Sequence, residues 1–362
     1  MLRWLAALLA LCGLAAVSHA QNIDPARFDP ARIDALAESR NFPGVILISR
    51  GDAIVYARAL GENEPESGEA HRLDRRWRWA SITKQLVATI TMQQVAAGQM
   101  ELDAPVSRYW PDFPNTARDA ITIRHLLQHM SGLPDPEDTP RLPSGLPAFY
   151  GDDWAPDASA EGYCAGPSRR EAGLEYHYTN CDYIVLGALL ERVTGQAMDA
   201  LVAALMPGTQ ALFPQGEPTV AGFHNGQAEP AIRFATYGAA GGLNGTIFDL
   251  WRFDRALMRG YLLDPATREE MWTGNPAIGY AALGQWVFPA PLAGCEASVR
   301  LVERPGAIGG VQGRNYILPE LDMAVITFTN RSEAEFPLGN IIDDRHFAFD
   351  LLSAAVCPEQ TP

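Results

Sequence analysis

Ser81 and Lys84 stand three residues apart where a helix-like run begins, and their chemistry is complementary. The chain carries 28 basic residues; 27 are Arg and one, Lys84, is Lys. Arg stays protonated in a protein, whereas a desolvated Lys falls towards neutral pKa and can act as a base. A chain that uses Arg everywhere else and Lys here points to an amine that must lose its proton. Residues three apart share one helix face, so Lys84 is expected beside the Ser81 hydroxyl, with the N–H groups of the helix N-terminus close by as oxyanion donors. That supplies the nucleophile, base and donor needed for acyl transfer.

Ser-x-x-Lys alone is a common pattern. Further along, Tyr178-Thr179-Asn180 precedes an apolar helix-like run. A Tyr beside cationic Lys84 is expected to have its pKa lowered, which makes Tyr178 a phenolate base and proton shuttle. Asn180 is expected to hold Lys84 or a substrate amide.

These residues need elements to position them. Helical spacing marks 30–40, 82–99, 123–130, 182–193, 198–205, 247–258 and 340–355, with Thr122 as a cap and Gly98 as a stop. The β-rich runs 45–49 and 53–57 flank Arg50-Gly51-Asp52 as a hairpin, and late β-type runs fall at 281–287, 299–302, 314–318 and 323–329. Strands at both ends with helices between predict an α/β (α+β) fold, one antiparallel sheet interrupted by a helical insertion at about 82–225. Residues 133–173 read as a long loop whose aromatics Phe149, Tyr150, Trp154 and Tyr163 either line a cleft or pack the loop onto the body.

The 362 residues carry a net charge of -15, which argues against a nucleic-acid partner and an anionic membrane surface. Arg3, the apolar run 5–17 and Ser18-His19-Ala20 before Gln21 read as a cleaved signal peptide over residues 1–20, giving a periplasmic or secreted chain. Cys12 lies within the run, but the bulky Leu11 before it argues against lipid attachment. No stretch approaches the ~20 apolar residues of a membrane span, so no stable membrane insertion is expected. Export leaves Cys164, Cys181, Cys295 and Cys357, which allow three pairings; the least demanding is Cys164–Cys181 with Cys295–Cys357. None forms C-x-x-C, so no zinc site is expected.

Ser81-x-x-Lys84, the stretch from His125 through His129 to Ser131-Gly132-Leu133, Tyr178-x-Asn180 and Ala240-Gly241-Gly242-Leu243 occur in one order. Together they resemble the serine β-lactamase-related family of class C β-lactamases, D,D-carboxypeptidases, D-aminopeptidases and related esterases. The resemblance covers residues 42–330 and implies the penicillin-recognising fold, with the site between an α/β lobe and an α-helical lobe. It implies a catalytic domain over 21–362, no metal and no cofactor, with a small-molecule or peptide substrate. The family's third motif, Lys/His-x-Gly, is matched by Arg304-Pro305-Gly306-Ala307. By that match Arg304 offers a cation to a substrate carboxylate, Gly306 lies against the substrate, and Ala307 N–H joins Ser81 N–H as oxyanion donor. Arg304 cannot shuttle a proton, and Pro134-Asp135-Pro136 follows Ser131-Gly132-Leu133 where a penicillin-type substrate would meet a polar side chain. Both departures favour another ester or amide over a β-lactam. His125 and His129 lack the Glu of H-E-x-x-H and read as structural; G-x-S-x-G and nucleotide-binding fingerprints are absent. The expected function is hydrolysis through an acyl-enzyme on Ser81. The alternative is a non-catalytic relative that binds a cell-wall peptide or protein, against which the retained Lys84 argues.

Overall fold

The computed structural model describes residues 28–65, 67–151, 157–213, 219–342 and 345–357. The proposed signal peptide and Trp154 lie outside them. In chain order the elements are α1 (Pro30–Ser39), β1 (Gly44–Arg50), β2 (Ala53–Leu60), β3 (Trp77–Arg78), α2 (Thr83–Ala96), α3 (Val106–Tyr109), α4 (Ile123–Leu127), α5 (Asn180–Thr194) and α6 (Met198–Leu205). They continue with β4 (Phe223–His224), β5 (Gln227–Ala228), α7 (Gly238–Gly241), β6 (Asn244–Gly245), α8 (Ile247–Met258), α9 (Pro265–Met271), β7 (Trp286–Ala290), β8 (Val299–Ile308), β9 (Val311–Leu318), β10 (Met323–Thr329) and α10 (Phe347–Val356).

Six strands form one antiparallel sheet in the order β2-β1-β10-β9-β8-β7, so the N-terminal hairpin pairs with the last strand. Alternation along the strands divides their side chains between two cores. Ile46, Ile48, Tyr316, Leu318 and Val325 pack with α1 and α10, whereas Val45, Leu47, Ile317, Ile326 and Phe328 face the larger core built with α2, α5 and α8. α2 is buried all round from Thr83 to Met92, as befits a helix between a sheet and further helices. Its hydroxyls stay satisfied within the helix: Thr89 and Thr91 each donate to the carbonyl four residues back.

Three differences from the sequence expectation are physical. The run 281–287 becomes a strand only from Trp286, because Gly279, Tyr280 and Gly284 take positive φ and turn the chain. β8 runs on to Ile308, carrying Arg304, Gly306 and Ala307 on a strand. The final helix starts at Phe347 instead of 340, after a turn in which Asn340 accepts from Ile342 N–H. Both disulfides of the least demanding pairing are present, Cys164–Cys181 and Cys295–Cys357. Among the described residues no helix is long and apolar enough to cross a membrane.

Candidate active site

Ser81 lies in the short helical turn Ala80–Ile82 that feeds α2. Ala80 takes φ 48°, which costs a non-glycine residue of order 1 kcal/mol and persists only where the surroundings enforce it. They do so from two sides. Trp79 N–H donates to Leu243 O at 2.9 Å, and β8 lies so close that a Cβ on Gly306 would sit 2.4 Å from Trp79 O. The Gly306 requirement is therefore one of backbone approach: only glycine lets β8 press on the serine turn.

Four of the expected residues meet at the Ser81 hydroxyl or the amine beside it. Ser81 Oγ is 2.6 Å from Tyr178 OH and 3.2 Å from Lys84 Nζ. Lys84 is fully buried; its Nζ donates to Asn180 Oδ1 at 2.8 Å and to Ala240 O at 2.7 Å. Thr179 caps α5 by accepting from Cys181 N–H, which fixes Tyr178 before the helix and Asn180 at its first position. Burial drives the Lys84 pKa well below that of a free lysine, and the Arg304 guanidinium pushes it the same way.

Two sequence expectations change here. Tyr178 is held above its ordinary pKa, because its desolvation outweighs the opposing pull of Arg304 and of the bond to Ser81. The lowered, phenolate Tyr is thus replaced by a protonated phenol. Arg304 does not reach outward. Only 1% exposed, it donates through Nε to Ser81 O at 2.9 Å and through a terminal nitrogen to Tyr178 OH at 2.9 Å, and its guanidinium covers Trp286 at 4.9 Å. β7 pairs with β8 only as far as Glu303, so Arg304 to Ile308 lie on a half-strand that β7 leaves open, with Ala307 exposed on it.

The histidines have structural partners. His125 Nδ1 accepts from Thr122 N–H in a capping box on α4. His129 packs its ring 4.3 Å from that of Tyr178 and hydrogen-bonds buried Asp182 at 3.1 Å, while its carbonyl accepts from His177 N–H. Ser131 donates to the same Asp182, and the hydroxyl oxygen accepts from Leu133 N–H. The His129–Leu133 stretch thus holds the Tyr178 loop. Asp135 sits nearby, 3.5 Å from His177 Nε2. Among the described residues no three His, Cys, Asp or Glu side chains gather as metal ligands.

Of the loop aromatics expected to line a cleft or pack the loop, Tyr150 reaches the site, and it does so with Tyr237, which the sequence does not single out. Tyr150 OH accepts from Asn180 Nδ2 at 2.7 Å, and its ring stacks on Tyr237 at 3.9 Å. Nothing in their spacing marks them; an aromatic in a long Pro- and Gly-rich loop was the only signal.

This geometry can be set beside known proteins. The family model described as Beta-lactamase matches residues 30–345. The chain belongs to the Beta-lactamase family. Esterase EstB of Burkholderia gladioli is 29% identical over 84% of this chain and 90% of its own length. Penicillin-binding protein PbpX of Bacillus subtilis, described as putative in its own right, is 25% identical over 68% of this chain and 63% of its own. In fold, the D-amino acid amidase from Ochrobactrum anthropi SV3 matches with a TM-score of 0.73 at 19% identity, over 90% of this chain and 98% of that one. Within the family this chain is a serine hydrolase with a mixed α/β fold like that of the penicillin-binding proteins.

Proposed function

We propose that Ser81 is the nucleophile of an acyl-enzyme mechanism that hydrolyses an ester or amide, and that Lys84 is its base. The observation that carries this reading is the hydrogen-bond inventory at Lys84. A neutral amine has two N–H groups and one lone pair. Burial beside Arg304 favours the neutral amine; its two N–H groups then go to Asn180 Oδ1 and Ala240 O, and its lone pair faces the Ser81 hydroxyl 3.2 Å away. Arg304 donates to Tyr178 O, so the phenol O–H is free to donate to Ser81 Oγ.

In this reading Ser81 Oγ attacks the carbonyl carbon as its proton passes to Lys84 Nζ. The N–H groups of Ser81 and Ala307 hold the oxyanion, and Tyr178, with Lys84 behind it, returns a proton to the leaving group. Water then attacks the acyl-enzyme by the reverse proton path. Esterase EstB, the relative matched over most of both chains, makes an ester the first substrate to try. The two disulfides accord with an extracytoplasmic location, and we assign the chain to the periplasm or exterior after removal of residues 1–20. The test is fluorophosphonate labelling and 4-nitrophenyl ester turnover in wild type and Ser81→Ala. Both signals should vanish in a variant with an unchanged circular dichroism spectrum; turnover at the wild-type rate would refute Ser81 as nucleophile.

A further inference from the structure

Resting on the hydrolase reading, we propose that the site takes substrates with no carboxylate near the scissile carbonyl, and that Arg304 serves Tyr178 and the Ser81 turn instead of a substrate anion. Three observations carry it. First, two of the five Arg304 N–H donors are aimed inward: Nε to Ser81 O and a terminal nitrogen to Tyr178 OH, with Trp286 against the guanidinium face and 1% of the residue exposed. A carboxylate could take these donors only by stripping them from the nucleophile and its partner.

Second, a cavity of about 500 Å³ opens beside Ala307 and the following turn at Gly309, at the end of β8 that β7 leaves open. Leu146, Ile232, Tyr237 and Ile308 line part of it beside the polar Glu137 and Gln227, a mixed surface with room for an uncharged alkyl or aryl group. Tyr237 ties this cavity to the catalytic groups, because Tyr150 stacked on it is bonded to Asn180.

Third, the charge around the cleft repels an anion. Among the described residues Arg141 is the one Arg or Lys lining the cavity; it is paired to Glu137 at 3.3 Å and also donates to Gly145 O. Asp135 adds a carboxyl beside His177, close enough to act on both Tyr178 and Lys84. A substrate carboxylate would find Arg304 turned to Ser81 and Tyr178, Arg141 paired to Glu137, and the Asp135 carboxyl close by.

The same placement gives Arg304 a positioning role. Its charge disfavours protonation of Lys84, and its donors orient Tyr178 O so that the phenol proton faces Ser81.

The test pairs matched esters. 4-Nitrophenyl hexanoate is compared with mono-4-nitrophenyl adipate, and phenyl hexanoate with 4-carboxyphenyl hexanoate, each kcat/KM normalised to alkaline hydrolysis of the same ester. The first pair adds a carboxylate on the acyl side and the second on the leaving side. Both ratios should favour the neutral ester by about threefold or more, which is about 0.65 kcal/mol. Arg304→Gln should slow neutral and charged esters alike and move the acidic limb of the pH–rate profile upward, because Lys84 loses a neighbour that opposes its protonation. A smaller or reversed ratio, or an Arg304→Gln loss confined to the carboxylate esters, would overturn the proposal while fluorophosphonate labelling of Ser81 stayed intact. Failure of every ester together with failure of that labelling would instead overturn the hydrolase reading, and this inference with it.

Discussion

Lys84 is fully buried beside a second cation, and both effects favour its amine over its ammonium. Asn180 Oδ1 and Ala240 O are filled by two N–H donors, and a third proton would have to be carried beside Arg304 in a desolvated site. Lys84→Met keeps the length of the side chain but removes the lone pair, so kcat should fall by about 10²–10⁴ while the fold survives; steady-state kinetics on an activated ester check this. The sign of the pH dependence follows from the same group. Its pKa is lowered, so activity rises as pH increases through the displaced value and is lost on the acid side. Tyr178→Phe removes the donor to Ser81 and the acceptor for Arg304 together. It should lower kcat by about 10²-fold or more with little change in KM, as expected for proton transfer made in the transition state.

At the scale of elements, the site is a meeting of a helix start, a strand edge and a helix cap, and β8 is the piece with least room. Gly306→Ala would force a Cβ to within 2.4 Å of Trp79 O, so β8 or the serine turn must shift. Overpacking of this kind costs about 1–3 kcal/mol and here also moves Ala307 away from Ser81, so a lower melting temperature and a larger fall in kcat/KM are expected. The Cys164–Cys181 bond ties the long loop to the start of α5, one residue from Asn180. Replacing both Cys by Ser should cost about 3 kcal/mol by chain entropy for a 17-residue separation, measured by denaturant unfolding, and slow turnover through Asn180 and Tyr150. Much of this was legible in the chain. Ser81 and Lys84 were legible from their spacing on one helix face, Tyr178 and Asn180 from their motif beside the others, and the six β-rich runs from composition, with 281–287 a strand only from Trp286. The stacking of Tyr150 on Tyr237 was not, because it joins segments distant in sequence. The true aim of Arg304 was hidden for the same reason: residue type says what a guanidinium can bind, and only packing says that Tyr178 and the Ser81 carbonyl already hold it.

Across the whole molecule, buried charge shapes stability. Glu303 on β8 pairs with Tyr316 and is acted on by the Arg314 and Arg304 charges, yet burial pushes its carboxyl from 4.5 up to about 7. Native protein therefore binds more protons than unfolded chain between those two values, and stability falls as pH rises through that window. Glu303→Gln should remove about 2–3 kcal/mol of the stability difference between pH 5 and pH 8, seen as a flatter melting-temperature profile. The Cys295–Cys357 bond spans 62 residues and pins the end of α10 to the segment after β7; its double Ser replacement should cost about 4 kcal/mol on the same chain-entropy basis.

The placement of β1 has a consequence for how the chain must be made. β1 is flanked by β2 and by β10, so its inner edge is completed by residues roughly 280 positions away, as in the bond from Thr327 Oγ1 to Val45 O across 282 residues. The first strands to emerge during synthesis therefore wait, with an open edge, for almost the last. Such a chain cannot close its six-stranded sheet until translation is nearly done, and until then β1 carries an edge open to wrong partners. Truncation before Met323 should accordingly yield aggregate and not a smaller enzyme, a result that centrifugation of the expressed protein would read directly.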